Sequence, residues 1–342
     1  MKPSTFAILN DPALLQARQF WLTRLEALFA GETPKNVFAL QGIQMYTEDD
    51  VPDWRYWLDT ALEELAEAAG RAQDMQVFRP LIINYNPHGV HFVDVLFGAD
   101  VFQLDDGSWQ VHTLDQPVGL LEPPKLGRLS DWQVMKDFTE AFFERRVAGV
   151  TFALPTIASA LNIAINLYGQ VILEVMYTNP DAAHHDLQVI NDVLCNLHHW
   201  YLRNVPLEQM QCIVPDGRHQ PIGYGQLCGC STQLLSSPLY REFVAPLDDA
   251  LLSVYPHGGM IHLCGDHDQH IPIWRAMQSL RAVQMNDRAA EDLPRYFNEL
   301  RLDQILYVNP CEEIPVERIL AITGGQRLVL VADIPPTPTR AE

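Results

Sequence analysis

Met260-Ile-His-Leu263, Ala282-Val-Gln-Met285, Ile305-Leu-Tyr-Val308 and Leu328-Val-Leu-Val331 are four short apolar runs that follow one another at intervals of about 20 residues. A helix-like stretch follows each run. Strands that alternate with helices are typical of βα units and of a parallel sheet. The carboxyl-terminal part of the chain therefore predicts a parallel α/β fold.

Upstream of these runs the same pattern supplies the other strands of a barrel. The candidates are Val37–Leu40, Leu81–Tyr85, Val150–Leu154, and either Cys212–Val214 or Ile222–Tyr224. Eight strands, most of them followed by a helix, favour a closed (β/α)8 TIM barrel over a doubly wound sheet. We therefore expect one domain over residues 1–342.

Three segments are predicted to lie outside the barrel repeat. Apolar residues recur at helical spacing over Asp11–Phe29, which predicts an amphipathic N-terminal helix. Residues 102–114, between the second and third strands, predict a β-hairpin insertion that turns at Asp106-Gly107. The tail over 335–342 has three prolines and no apolar periodicity, so we expect it to be flexible.

The net charge and the start of the sequence indicate which partners and which cell compartment to expect. The formal net charge of -20 would repel phosphate backbones and anionic lipids, so we expect neither a nucleic acid nor a membrane as a partner. The first ten residues have no apolar run of the kind a signal peptide needs. We therefore expect a cytoplasmic protein whose six cysteines are reduced thiols, available for a metal or for catalysis.

The strongest chemical signal is the end of the strand in Met260-Ile-His-Leu-Cys-Gly265. Side chains alternate along a strand, so His262 and Cys264 lie on one face. Barrel enzymes keep their active sites at the carboxyl ends of the strands. An imidazole nitrogen and a thiolate sulfur on one face are ligands that suit zinc. The alternative is a buried histidine beside a free core cysteine.

Other residues at strand ends could complete a zinc site. Cys311 follows Ile305–Val308, and Cys228 and Cys230 follow the preceding strand, while Asn286 and Asp287 offer oxygen atoms. Zinc held by two thiolates and a histidine is electron-rich and a poor Lewis acid for hydrolysis. It is suited to bind an incoming thiol and to present it as a thiolate nucleophile. This chemistry predicts alkyl transfer to sulfur.

The loop after the second strand is the other candidate part of the site. It reads Asn84-Tyr-Asn-Pro-His88-Gly-Val-His91 and lies at the same mouth of the predicted barrel. We expect His88 and His91 to contact the substrate or to carry a proton, together with Asp287. We expect Asn84, and Asn309 at the end of a later strand, to line the binding site.

Several of these motifs together resemble the uroporphyrinogen decarboxylase superfamily. They are Ser236–Pro246, Ile261-His-Leu-Cys-Gly265, Asn309-Pro310, and Gly324-Gly325 before Leu328–Val331. Asp94–Asp100 and Leu154–Ala158 match the middle of that family in order. The resemblance covers roughly residues 80 to 336 and implies a (β/α)8 barrel.

Two branches of that superfamily compete. The decarboxylases carry an arginine-rich N-terminal motif that binds the carboxylates of uroporphyrinogen, but the matching region over 36–45 has no arginine. Such a substrate would enter a strongly acidic chain without a clamp, which desolvation opposes. The resemblance is closer to the zinc methyltransferases, which move a methyl group from a corrinoid protein to a thiol such as coenzyme M. Their His-x-Cys motif matches His262 and Cys264.

The resemblance implies a third ligand that this sequence does not have in the usual place. The family's later cysteine ends the last strand, where this chain has Ala332-Asp333. Cys311 is the first candidate to replace it, and Cys228 and Asp333 are the alternatives.

The leading hypothesis is a zinc-dependent methyltransferase that docks a corrinoid protein and methylates a small thiol. The alternatives are a metal-free decarboxylase or lyase of a small acid that uses His88, His91 and Asp287, and a non-catalytic protein that binds a corrinoid or tetrapyrrole.

Overall fold

Parallel strands form the centre of the molecule. In this computed structural model, which describes residues 1–48, 51, 53–212 and 217–332, the central strands are buried on both faces, as is typical of parallel sheets covered by helices. The strands are β1 (Phe38–Ala39), β2 (Ile43–Thr47), β3 (Leu81–Tyr85), β4 (Val101–Gln103), β5 (Trp109–Val111), β6 (Val150–Ala153), β7 (Met210–Gln211), β8 (Gly225–Cys228), β9 (Gly259–Cys264), β10 (Leu280–Asn286), β11 (Ile305–Val308) and β12 (Leu328–Leu330).

Helices follow most of these strands. They are α1 (Pro3–Leu9), α2 (Pro12–Phe29), α3 (Trp54–Ala68), α4 (Phe92–Leu96), α5 (Ser130–Glu144), α6 (Ala160–Tyr168), α7 (Val171–Thr178), α8 (Pro180–Asn204), α9 (Ser237–Leu239), α10 (Ala245–Leu252), α11 (Ile271–Ala276), α12 (Arg288–Glu291), α13 (Leu293–Glu299) and α14 (Val316–Thr323). The predicted N-terminal helix is confirmed as α2. The Asp11 side chain caps it by accepting a hydrogen bond from the amide of Ala13 at 2.8 Å.

The parallel strands form two sheets that share one stretch of chain. Their orders are β1-β12-β11-β10-β9-β8 and β2-β3-β6-β7. The stretch from β1 to β2 belongs to both sheets, because β1 pairs with β12 and β2 pairs with β3. Between them Leu40 bridges to Phe78. The predicted parallel α/β architecture is therefore confirmed.

The region between β7 and β8 departs from the sequence prediction. The pattern favoured one strand there, at Cys212–Val214 or at Ile222–Tyr224, whereas the structure has β7 before the first position and β8 after the second. No ladder joins β7 to β8 within the described ranges, which omit 213–216. Closure into an eight-stranded barrel stays a prediction. Asp333 and the tail over 335–342 lie outside the described residues.

Two hydrophobic clusters lie on opposite faces of the strands. One contains Met260, Ala282, Tyr307 and Val329 together with residues of α2. The other contains the alternate strand residues and the helices that pack against them. Alternation along each strand produces this division. His262 and Cys264 follow Met260 with a period of two, so they lie on the same face of β9 as Met260.

The segment that contains the predicted insertion is a two-stranded antiparallel pair. Val101 pairs with Val111 and Gln103 pairs with Trp109, with a turn at Gly107.

No single helix within the described ranges is long and apolar enough to span a membrane. The α6–α7 pair, bent by 106°, passes that test of length and composition only when both helices are counted together.

Candidate metal centre at the carboxyl ends of the strands

Parallel register brings polar side chains of β8, β9 and β10 side by side. Cys228 is the partner of His262, and His262 is the partner of Gln284. One step beyond, Cys264 pairs with Asn286. These residues lie at the carboxyl ends of their strands, which is the edge where parallel α/β enzymes bind their ligands.

Three thiols and one imidazole meet at this edge. The ligand atoms of Cys228, Cys230 and His262 all lie within 4.8 Å of one another. Cys228 Sγ lies 3.4 Å from Cys230 Sγ, and Cys264 Sγ lies 3.2 Å from His262 Nε2. Ligand atoms that share one zinc ion at about 2.0–2.3 Å lie roughly 3.3–3.8 Å apart in a tetrahedral site. The Cys228–Cys230 and Cys264–His262 distances lie in or close to this range, so each pair is spaced as two ligands of one zinc ion would be.

The thiols of the cluster differ in acidity. A hydrogen bond with Cys230, the positive charge that His262 carries when it is protonated, and the guanidinium of Arg218 hold the pKa of Cys264 well below its usual range. The same three groups lower the pKa of Cys228. The pKa of Cys230 is raised, because its proton is shared with Cys228 and Cys264. A metal binds the thiolate form, so Cys228 and Cys264 are prepared to act as ligands near neutral pH.

The imidazole of His262 is held in one tautomer. Its Nδ1 atom donates to Gln284 Oε1, and the Gln284 amide nitrogen donates to Asn286 Oδ1 at 2.5 Å and to Asn309 Oδ1 at 2.6 Å. Because the amide nitrogen is used in this way, only the amide oxygen faces the imidazole. The lone pair of His262 therefore lies on Nε2, which faces the thiols. A partner on the other ring nitrogen is what metal-binding histidines use to fix their orientation.

Arg218 contributes a positive charge next to His262. Its guanidinium lies 3.3 Å from His262 Nε2 and lines a cleft of about 240 Å³. The other lining residues are mainly amides and backbone: Gln41, Gly217, Gln284, Asn286, Asn309 and Val331. The predicted Asn309 thus lines a cleft beside the thiols. Arg218 was missed, because it belongs to no strand, helix or motif that the sequence pattern reveals.

Glycines allow the loops of the cluster to approach one another. Gly265, directly after Cys264, has φ +92°, and a Cβ there would lie 2.2 Å from Gln233 Oε1. A Cβ on Gly229, between Cys228 and Cys230, would lie 2.5 Å from the Ile261 side chain. The backbone therefore favours glycine at Gly265, whereas at Gly229 the close packing of the Ile261 side chain is what disfavours a larger residue.

The predicted metal ligands are only partly gathered in this cluster. His262, Cys264 and Cys228 are in it, and Cys230 joins them although the sequence argument preferred Cys311. Cys311 is half-buried, and its backbone amide donates to the carbonyl of Ile314. A ligand role for Cys311 stays a prediction. Among the described residues, neither Cys311 nor Cys264 belongs to the group of three whose ligand atoms all lie within 4.8 Å of one another.

The predicted proton carriers lie on other loops. His88 Nε2 lies 3.0 Å from Asp131 Oδ1, and His91 Nδ1 lies 2.7 Å from Asp94 Oδ2. Asn84 is buried and donates to the carbonyl of Leu154 at 2.9 Å, which ties β3 to the loop after β6. Asp287 is exposed, one residue beyond the end of β10.

No protein-family model matches the chain, and no curated protein matches it. Among solved structures, a methyltransferase from Methanosarcina mazei has a similar fold, with a TM-score of 0.59 over 93% of this chain and 94% of that chain. The two sequences are 12% identical, so this likeness describes the fold alone.

Proposed function

We propose that this chain is a zinc-dependent methyltransferase that moves a methyl group from a corrinoid, carried by a partner protein, to the sulfur of a small thiol. The observation that carries the proposal is the cluster of Cys228, Cys230, His262 and Cys264 at the carboxyl ends of the strands. The fold shared with a methyltransferase supports it.

The chemistry of the donor set fits this reaction. Zinc held by thiolates and an imidazole lowers the pKa of a bound thiol and leaves its sulfur nucleophilic. In the transfer a carbon–sulfur bond forms and the cobalt–carbon bond breaks, with its electron pair remaining on the corrinoid. The proton of the thiol must leave the site. No external oxidant or reductant is needed.

The residues of this chain have separate roles in the proposal. His262 and the cysteines of the cluster would hold the metal, and Gln284 keeps His262 Nε2 directed towards the thiols. A catalytic zinc site has three protein ligands and one open position, whereas a structural site is closed by four. Methyl transfer therefore requires that one of the four residues of the cluster give way to the incoming thiol.

Anaerobic turnover with soluble reagents tests the proposal. Zinc-loaded protein is mixed with methylcobalamin and 2-mercaptoethanol, and loss of the methylcobalamin absorbance is followed together with the methyl thioether by mass spectrometry. We expect turnover that Cys264→Ser abolishes and that Cys195→Ser retains, because Cys195 lies on α8, where its sulfur accepts from Asn191. Zinc-loaded wild-type protein that forms no thioether, with free or protein-bound corrinoid, would contradict the proposal.

One observation favours a second function. The cleft beside His262 combines the Arg218 guanidinium with amide groups, and its volume of about 240 Å³ suits a small carboxylic acid. A metal-free decarboxylase or lyase would use this cleft for its substrate. Full activity on a small acid after removal of zinc by a chelator would favour it over methyl transfer.

A further inference from the structure

Two thiols of the cluster lie on one short turn. Cys228 ends β8, and Cys230 begins the 3₁₀ turn that follows it, with a single glycine between them. Their Sγ atoms are 3.4 Å apart. A disulfide holds its sulfur atoms about 2.0 Å apart, so these two sulfurs need to approach each other by only about 1.4 Å to be joined by a bond.

Hydrogen bonds hold this turn in place. The amide of Gly229 donates to the carbonyl of His262 at 2.8 Å, which ties the turn to β9. The side chain of Asn162 on α6 contacts the pair from the other side. Its Nδ2 atom donates to Cys228 Sγ at 3.4 Å, and its Oδ1 atom accepts from the amide of Ser231 at 3.3 Å. The two sulfurs are therefore kept side by side.

The other cysteines have different surroundings. Cys264 Sγ lies 3.2 Å from His262 Nε2 and, although it is also hydrogen-bonded with Cys230, it belongs to a separate strand end. Cys195 lies on α8, and Cys212 is buried directly after β7. A disulfide to Cys264 would have to join two loops, whereas the sulfurs of the turn already face each other within it.

A small reagent can reach the pair. Cys228 and Cys230 are half-buried, whereas Cys212 is only 1% exposed. Thiol–disulfide exchange requires access of the reagent to the attacking sulfur. The formal net charge of -20 repels anionic reagents, so a small uncharged disulfide is the oxidant that this site favours.

A disulfide at this turn and a metal ion exclude each other. Metals bind the thiolate form of cysteine, and a sulfur that is joined in a disulfide is no longer a thiolate. Oxidation of the pair would leave only His262 and Cys264 in the cluster. Two ligands are fewer than the three or four that zinc sites in proteins use.

We propose that Cys228 and Cys230 are a reversible redox pair, which a small organic disulfide oxidises to an intramolecular disulfide when the metal is absent, and that this disulfide keeps zinc from binding. One cysteine sulfur attacks the reagent, the S–S bond of the reagent breaks, and one thiol leaves. The other cysteine sulfur then displaces the second thiol from the mixed disulfide. Two cysteine thiols are oxidised, one reagent disulfide is reduced, and the two protons pass to the thiols that leave. Methyl transfer plays no part in this step.

Peptide mapping tests the proposal. Full-length protein is treated with a chelator and a reductant, freed of both, and incubated with the oxidised form of 2-mercaptoethanol. Its remaining free thiols are alkylated, and it is digested with trypsin. Trypsin cleaves after arginine, so Cys228 and Cys230 lie in one peptide, 219–241, and Cys264 lies in the next, 242–275. We expect peptide 219–241 to lose two hydrogen atoms and to escape alkylation, while peptide 242–275 is alkylated.

Zinc and two substitutions provide the comparisons. Zinc-loaded protein is expected to stay reduced in the same treatment, and the oxidised protein is expected to lose nearly all of its zinc uptake until dithiothreitol restores it. Cys264→Ser keeps both thiols of the turn and should form the same disulfide, whereas Cys230→Ser should not. Cys195→Ser is the control and is expected to behave as the wild-type protein.

Three results would contradict the proposal. They are full alkylation of peptide 219–241 in the treated wild-type protein, a cross-link between peptides 219–241 and 242–275, and unchanged zinc uptake by the oxidised protein. Each of them leaves the proposed function standing, because thiols that bind zinc need not form a disulfide. If the reduced protein takes up no zinc, the exclusion of zinc by the disulfide and the proposed function fall together.

Discussion

Cys230 joins the thiol cluster from a turn rather than from a strand. It begins the 3₁₀ turn Cys230–Leu234 directly after β8, and its sulfur lies 3.4 Å from that of Cys228. The sequence shows two cysteines separated by a glycine, and both were considered as residues that could complete a zinc site. Cys311 was preferred because it follows a strand end that should face the same mouth of the predicted barrel as the end of β9.

Replacing these cysteines one at a time separates the candidates. We expect Cys230→Ser to weaken zinc binding by orders of magnitude, because a thiolate ligand is lost, whereas loss of a residue that only supports a ligand costs about 10–100-fold. Competition titrations against a chelator measure the affinity. Cys311→Ser is the matched comparison. A large loss in Cys311→Ser with no change in Cys230→Ser would return the ligand role to Cys311.

Gln284 provides a second test at the residue scale. Gln284→Leu removes the acceptor on His262 Nδ1, so the imidazole loses its fixed tautomer and zinc affinity should fall about 10–100-fold. Gln284→Glu keeps an acceptor there and should retain affinity. The same titration measures both variants. Equal zinc affinities for the Gln284→Leu variant and the wild-type protein would show that Gln284 does not orient the ligand.

The residues that sequence could identify are those set by local alternation. His262 and Cys264 were predicted because a period of two along one strand suffices to place them together. Gln284 and Arg218 could not be found in this way. Their contacts with His262 depend on the register of β10 against β9 and on the chain between β7 and β8, which are tertiary features.

At the scale of elements, the thiols lie at the ends of β8 and β9 and in the loops that follow these strands. The buried side chain of His267 contacts both loops. His267 Nε2 lies 2.7 Å from the carbonyl of Cys264, and His267 Nδ1 lies 2.9 Å from the Thr232 hydroxyl in the turn that follows Cys230. His270 Nε2 lies 2.9 Å from the carbonyl of Thr232. These contacts hold the loop after β9 against the loop after β8, and so they set the distances between the cysteines of the cluster.

Gly265→Ala tests whether the contact between these two loops matters for stability and for zinc binding. The new methyl group would meet Gln233 Oε1 in a backbone with φ +92°, so we expect a loss of about 1–3 kcal/mol in the free energy of unfolding and weaker zinc binding. Thermal unfolding and chelator competition measure the two effects. Gly70→Ala is the control, because Gly70 has φ -60° and nothing within 4 Å. Equal effects of the two substitutions would contradict the account.

The strands themselves were largely predictable, whereas the segment between β7 and β8 was not. Continuous apolar runs identify parallel strands directly, and Leu81–Tyr85 and Ile305–Val308 are confirmed with the predicted bounds. After β7, His219 and Gln220 are buried, and the Tyr307 hydroxyl donates to the carbonyl of His219. A pattern of apolar residues does not predict that polar residues such as these are buried, because their burial depends on partners that are distant in the sequence.

On the scale of the whole molecule, buried His219 should make stability depend on pH. Burial lowers its pKa to about 3 from an ordinary value of 6.5, and neither ring nitrogen has a partner among the described residues. The native state therefore binds fewer protons than the unfolded state between these values. Stability is fully present above pH 6.5 and falls as the pH drops towards 3, by up to about 1.4 kcal/mol per pH unit for this group.

His219→Phe should remove the part of that dependence that His219 contributes. A phenyl ring keeps the edge contact with Phe78, where the ring centroids are 5.0 Å apart, and has no polar atom to bury. We expect the variant to gain stability over the wild-type protein at acidic pH more than at neutral pH, as measured by urea unfolding at each pH. A constant difference between the two proteins across the range would show that His219 titrates normally in the folded state.

Metal content tests the central claim most directly. The protein is purified without chelator, its zinc is measured by elemental analysis, and the same is done after incubation with zinc and removal of the excess. The account predicts about one zinc ion per chain in the wild-type protein, and none in a variant that carries both His262→Ala and Cys264→Ser. A correctly folded wild-type protein that contains no zinc and takes none up would contradict it.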